Sequence, residues 1–177
     1  MNSEQRQLAY DLLITPPSGM RKISKEEFVR RYPAAVRGGR LSLDIIERAA
    51  GDRSSEDLVC AMIIGHTFGF SPAHEDILCR LAWENWHWSH EAIVSALQDC
   101  EFEDERCIDA LFHLAQFVPA YLEFDDARAL AVKAIWAIGG IAGDLSDSRL
   151  EALAQSSSPR LKQVAEEQLS RRRTAKM

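Results

Sequence analysis

No run of about 18 apolar residues occurs in this 177-residue chain, so no stretch is built to cross a membrane as a helix. The opening MNSEQRQLAYDLL mixes charges into its apolar positions, unlike the continuous apolar core of a signal peptide. The expectation is a soluble protein that stays where it is made, in the cytoplasm. Strand patterning is also missing, because β-branched residues never alternate with polar ones over a useful length. Metal signatures are scarce: there is no HExxH and no paired CxxC, and Cys100 and Cys107 stand seven apart. His87 and His90 are three apart but flank Ser89, a helix cap, so they need not share a face. Even with His66, His74 and His113 elsewhere in the chain, the expectation is no metal and no cofactor. Cys60, Cys79, Cys100 and Cys107 lie in or beside apolar helical patterns, where they read as small core residues rather than bridges.

Basic residues are nearly absent from residues 84–126, which carry eleven Asp/Glu against Arg106 alone. Residues 15–41 show the reverse, with seven Lys/Arg against two Glu, and the chain closes with Arg171, Arg172, Arg173 and Lys176. The formal net charge of −6 hides this segregation, which bears on partners rather than fold. A hydrophobic share of 46% over this length excludes wholesale disorder and suits one domain with a substantial core.

What the chain does contain is helical periodicity. Ser3 opens a first helix that buries Leu8, Leu12 and Leu13, and TPPSG at 15–19 ends it. Ser24 has capping-box spacing before a short helix with Phe28 and Val29. Gly38 and Gly39 mark a turn before Ser42, which caps a helix carrying Leu43, Ile45, Ile46 and Ala49. Ser54 or Ser55 caps a broadly apolar central helix, Leu58 to Phe68, and Ser71-Pro72 starts the next, with Ile77, Leu78, Leu81, Ala82 and Trp83 inward. Ser89 caps EAIVSALQDC, and the following helix buries Cys107, Ile108, Leu111, Leu114 and Ala115. Asp125 or Asp126 caps a helix with Ala127, Leu130, Ala131, Ala134, Ile135 and Ile138 on one face, Trp136 packed between helices, and glycines 139, 140 and 143 at its end. Ser146 opens a helix burying Leu150, Leu153 and Ala154. Ser158-Pro159 opens the last, burying Leu161, Val164, Ala165 and Leu169.

Short helices joined by tight polar turns suit stacked antiparallel pairs. The segment AVKAIWAIGGI (131–141), continued by SRLEALAQSSSPRLKQVAEEQL, resembles a HEAT repeat, with its Ala-rich helix ending in Ile-Gly. The resemblance implies an all-α, HEAT-like α-solenoid of about nine or ten short antiparallel helices. Residues 1–53 would form an N-terminal helical cap, 54–170 the hairpins and 171–177 a basic tail, within a single 1–177 domain. More widely, FGFSPAHEDILCRLAWENWHWSHEAIVSALQDC and YLEFDDARALAVKAIWAIG resemble the HEAT-like immunity proteins of bacterial polymorphic toxin systems. Such proteins bind and silence the toxic domain of a secreted effector. The resemblance implies a binding protein rather than an enzyme, with the cognate toxin domain as partner and no membrane or direct nucleic-acid contact.

Within the acidic segment, Glu84, Glu101, Glu103, Asp104, Glu105, Glu123, Asp125 and Asp126 read either as solvated loops with helix caps or as a surface for a basic partner. Trp86, Trp88 and Tyr121 are interleaved with them, the composition of a binding hot spot, although folded-back loops would explain the rings as well. These eleven residues are the candidate partner-binding set. A HEAT-type adaptor of another assembly is the alternative reading. A helical-repeat nucleic-acid-processing enzyme using Trp86, Trp88 and Asp125 is the other, and it is disfavoured because the tryptophans sit in the acidic part of the chain rather than beside a basic groove.

Overall fold

The computed structural model describes residues 1–13, 22–33, 39–99 and 105–175, and over these the chain is all-helical with no strand. The helices are α1 (Ser3–Leu13), α2 (Lys25–Arg31), α3 (Gly39–Asp52), α4 (Ser55–Phe68), α5 (Glu75–Leu81), α6 (His90–Asp99), α7 (Glu105–Leu114), α8 (Arg128–Gly140), α9 (Asp144–Ala154) and α10 (Pro159–Ala175), with 3₁₀ segments at Pro72–His74 and Ala120–Asp125. Contacts divide the chain into two compact units, Met1–Ile77 with Trp86–Ser89, and Leu78–Asn85 with His90–Met177.

In the first unit α4 packs against α1 and α3, as its broad apolar arc requires: Leu58 and every residue from Cys60 to Gly65 are buried. Ser54 caps it by accepting from Asp57 N, and Ser24 caps α2 by accepting from Glu27 N. Two caps differ from the sequence expectation. Asn2, not Ser3, caps α1 through reciprocal bonds with Gln5. Ser42 lies inside α3, fully buried, where its hydroxyl donates to Gly39 O. Its oxygen in turn meets His74 Nε2 at 2.9 Å, while Ser71 N donates to His74 Nδ1. Burial lowers the pKa of this ring, which favours its neutral form. Leu13, placed inward by periodicity, is 55% exposed, because the buried face of α1 stops at Leu12.

Asp57, buried beside α1, accepts from Arg6 Nε at 2.7 Å and from the Met1 ammonium at 2.6 Å. Burial is the largest single influence on this carboxyl and opposes ionisation, yet the hydrogen bonds and charges of its partners outweigh it and hold the pKa below the usual value.

In the second unit α8 contacts α6, α7, α9 and α10. Its buried face is the expected one, Ala127, Leu130, Ala131, Ala134, Ile135 and Ile138, joined by Ala137. The cap is not. Asp126 and Ala127 both take left-handed backbone, φ 56° and 51°, and no side chain caps α8, because the 3₁₀ segment runs through Asp125 and ends on the left-handed Asp126. α8 ends at Gly140 as expected, but neither Gly139 nor Gly140 takes the left-handed cap conformation, which among these glycines falls on Gly143 alone. A Cβ on Gly139 would strike Gln168 Oε1, so close packing explains this glycine better than helix termination does. Ser146 is likewise inside α9, which starts at Asp144, and its hydroxyl lies 2.6 Å from Ile141 O. Trp136 is 42% exposed, with the Arg171 guanidinium 4.5 Å over its ring. On α10, Gln168 occupies the buried position expected of Leu169.

The basic tail is also corrected, since Arg171, Arg172 and Arg173 belong to α10. Arg172 is largely buried. It donates to Ile138 O, Gly139 O and Ile141 O at the end of α8, and to Ser146 and Asp147 of α9. One side chain thus satisfies carbonyls that the helix end leaves without intrahelical donors.

Three measurements test this packing. In urea melts, Ile135→Ala is expected to cost about 2–5 kcal/mol through the cavity it leaves, and Arg172→Ala about 2–4 kcal/mol through the stranded carbonyls and Asp147. A loss below about 0.5 kcal/mol for either would contradict the packing described. His74, and His113 of the second unit, both have pKa values lowered by burial, so the unfolded chain binds more protons below the ordinary histidine pKa of about 6.5. The melting temperature should be flat above about pH 7 and decline as pH falls below about 6.5, with a further loss from Asp57 below about pH 4. A melting temperature that rises on acidification through this range would contradict the neutral, buried rings.

Candidate partner-binding surface

Five rings of the second unit form a continuous series. Trp83, just beyond α5, stacks on His113 near the end of α7, with centroids 4.1 Å apart and planes 16° apart. His113 stacks on Phe117 at 4.9 Å; Phe117 meets His90, the first residue of α6, at 5.4 Å; and His90 stacks on Tyr121 at 5.7 Å. Aromatic pairs of this kind contribute about 0.5–1.5 kcal/mol each beyond area burial. The series therefore ties the ends of three helices to the 3₁₀ segment Ala120–Asp125.

Polar bonds fix its far end. His90 Nε2 lies 2.9 Å from Glu84 O, and a carbonyl only accepts, so Nε2 carries the proton. In the neutral ring Nδ1 is then the acceptor for the Tyr121 hydroxyl at 3.2 Å. Burial pushes the Tyr121 phenol up to about 12, so it stays protonated at neutral pH. His113 Nε2 is buried and makes no hydrogen bond among the described residues; desolvation lowers the pKa of this ring.

On this frame stand exposed apolar groups. Trp83 is 57% exposed rather than inward, because its ring lies over His113 at the surface. Phe124 is 82% exposed, with Glu123 and Asp126 exposed beside it and Val118 also at the surface. Asp125 is half-buried, with an Oδ1 that has no hydrogen-bond partner among the described residues. The left-handed pair after Phe124 costs about 1–2 kcal/mol per residue, so surrounding packing holds the segment in this shape.

The expected residues are thus partly brought together. Glu84, Tyr121, Glu123, Asp125 and Asp126 belong to the second unit around the ring series, and Glu105 is exposed in the first turn of α7. Glu101, Glu103 and Asp104, with Cys100, lie outside the described residues. Trp86 and Trp88 belong to the first unit. Trp88 is 56% exposed and its backbone N–H donates to Ser55 Oγ, whereas Trp86 is half-buried edge-on to His87. Asp109 of the acidic segment is paired with Arg149 at 2.7 Å. Ser89 directly precedes α6 as expected, but its buried Oγ has no hydrogen-bond partner among the described residues.

Sequence reasoning missed Phe124, Trp83 and Val118 as surface groups. Phe124 carried a usable signal, an aromatic flanked on both sides by carboxylates in YLEFDD. No group of three or more His, Cys, Asp or Glu able to hold a metal occurs among the described residues. None of their helices is long and apolar enough to cross a membrane. Comparison with family models, curated proteins and solved structures gives no match to the chain.

Stability measurements separate frame from surface. Tyr121→Phe removes the bond to His90 and should cost about 0.5–1.5 kcal/mol. Phe124→Ala should stay within about 0.5 kcal/mol of the wild type, and a loss of several kcal/mol would place this ring in the core instead.

Proposed function

We propose that the chain is a binding protein of the immunity type, which silences a toxin domain by covering its active or substrate-binding face with this aromatic and acidic surface. The observation that carries the binding reading is Phe124, 82% exposed between carboxylates on a segment held in strained backbone. An aromatic side chain this open loses apolar hydration on docking and has its shape fixed in advance, the properties of an interface anchor. Glu123 and Asp126 beside it favour a partner with a cationic rim, such as an enzyme acting on an anionic substrate. Assignment to toxin immunity rests on the resemblance carried by residues 68–141.

The HEAT-like arrangement belongs to the same proposal. From α6 to α10 the main helix contacts join each helix to the next and the next but one, which supports stacked hairpins in the second unit.

The test is co-expression with the toxic domain of a neighbouring effector, scored by survival and co-purification, followed by binding kinetics. Phe124→Ala should weaken binding by at least about 2 kcal/mol, roughly 30-fold. Glu123→Lys with Asp126→Lys should slow association, more so at low salt, where the field reaches farther than the roughly 8 Å it has at physiological ionic strength. Wild-type affinity and protection in both folded variants would sink the proposed interface.

A further inference from the structure

We propose that Cys79 and Cys107 form a reversible intramolecular disulfide, a modification site within the second unit. Their Sγ atoms lie 3.0 Å apart, closer than two sulfur atoms in ordinary van der Waals contact, one thiol coming from α5 and the other from α7. An approach of about 1 Å brings them to the roughly 2.05 Å of a disulfide. Both are buried, Cys107 completely and Cys79 almost so, which shields them from bulky reagents and calls for a small oxidant. Cys60 is a poor competitor, because burial pushes its thiol up to about 11 and leaves little thiolate at neutral pH.

The oxidant class is a hydroperoxide. The Cys79 thiolate attacks the terminal peroxide oxygen, the O–O bond breaks, and the leaving oxygen takes up a proton, giving the Cys79 sulfenic acid and an alcohol, or water when the oxidant is hydrogen peroxide. The Cys107 sulfur then attacks the Cys79 sulfur. The S–S bond forms, the S–O bond breaks, and hydroxide leaves as water with the proton of Cys107. Two thiols and one hydroperoxide thus become one disulfide, one water and one alcohol. A small dithiol reverses the change by exchange.

The bond would act on the surface described above. Trp83 follows Cys79 by four residues and His113 follows Cys107 by six, and their rings stack at 4.1 Å. A cross-link between α5 and α7 fastens both halves of that stack. The chemistry rests on the thiol geometry alone and does not depend on the proposed partner.

The test treats the full chain with hydrogen peroxide, alkylates it under denaturing conditions and maps it by mass spectrometry. The expected product joins the Cys79 and Cys107 peptides with loss of two hydrogens and leaves Cys60 alkylated. Its melting temperature should be higher by roughly 5–10 °C, as expected for closing a loop of this length, and should return to the starting value with dithiothreitol. Cys107→Ala should abolish the cross-link. The mapping is done on the wild-type chain, so its outcome does not depend on a variant folding. Alkylation of both Cys79 and Cys107 after peroxide treatment, or linkage of either to Cys60, Cys100 or a second chain, would overturn the proposal.

Discussion

A helix that is buried along its face must still satisfy the carbonyls at its end, and in the second unit Arg172 meets that demand for α8. Leu130, Ile135 and Ile138 supply the apolar face, while Ala131, Ala134 and Ala137 keep side chains short where neighbouring helices come near. At Gly139 even a methyl group would strike Gln168. Ile138 is fully buried and Gly139 and Ile141 are half-buried, and the carbonyls here take donors from the protein. The guanidinium has five N–H groups in a rigid fork and reaches three carbonyls, Ser146 and Asp147 together. Without it, the core that α8 organises would carry stranded acceptors worth a large part of a domain's net stability.

That firm core makes the surface of the same unit intelligible. Large exposed apolar groups add little to folding, and two consecutive non-glycine residues in left-handed backbone oppose it. The rings Trp83, His113, Phe117, His90 and Tyr121 supply the compensation, each held by its neighbours and the last two fixed by hydrogen bonds. Rigid anchors lose less entropy on binding than flexible ones, so order at this surface favours recognition as well as stability.

The apolar faces of α3, α4, α7 and α8 were legible in the sequence because they repeat within a single helix and need no knowledge of neighbours. Capping was legible at Ser24 and Ser54, where the side chain bonds to backbone three residues away. It failed at Ser42, Ser146 and Asp126. Ser42 and Ser146 face elements distant in the chain, and Asp126 is drawn into a 3₁₀ segment whose end no local rule foretells. Arg172 illustrates the same boundary: in sequence it is one of three adjacent arginines, and only contacts about thirty residues away distinguish it.

The candidate surface was legible as composition and not as geometry. Acid-rich sequence with interleaved aromatics pointed to residues 84–126, but charge counts do not reveal that Asp109 is already neutralised by Arg149. Nor does periodicity reveal that Trp83 turns outward to lie on His113, because that choice is made by a residue thirty positions later. Phe124 differs again, since its place between carboxylates is local information. A solvated acidic edge would need no large apolar ring there, and folding gains almost nothing from one that is 82% exposed. The charges alone fit either a passive edge or a binding face; the combination of an open ring, flanking carboxylates and a strained, well-held backbone favours the binding face.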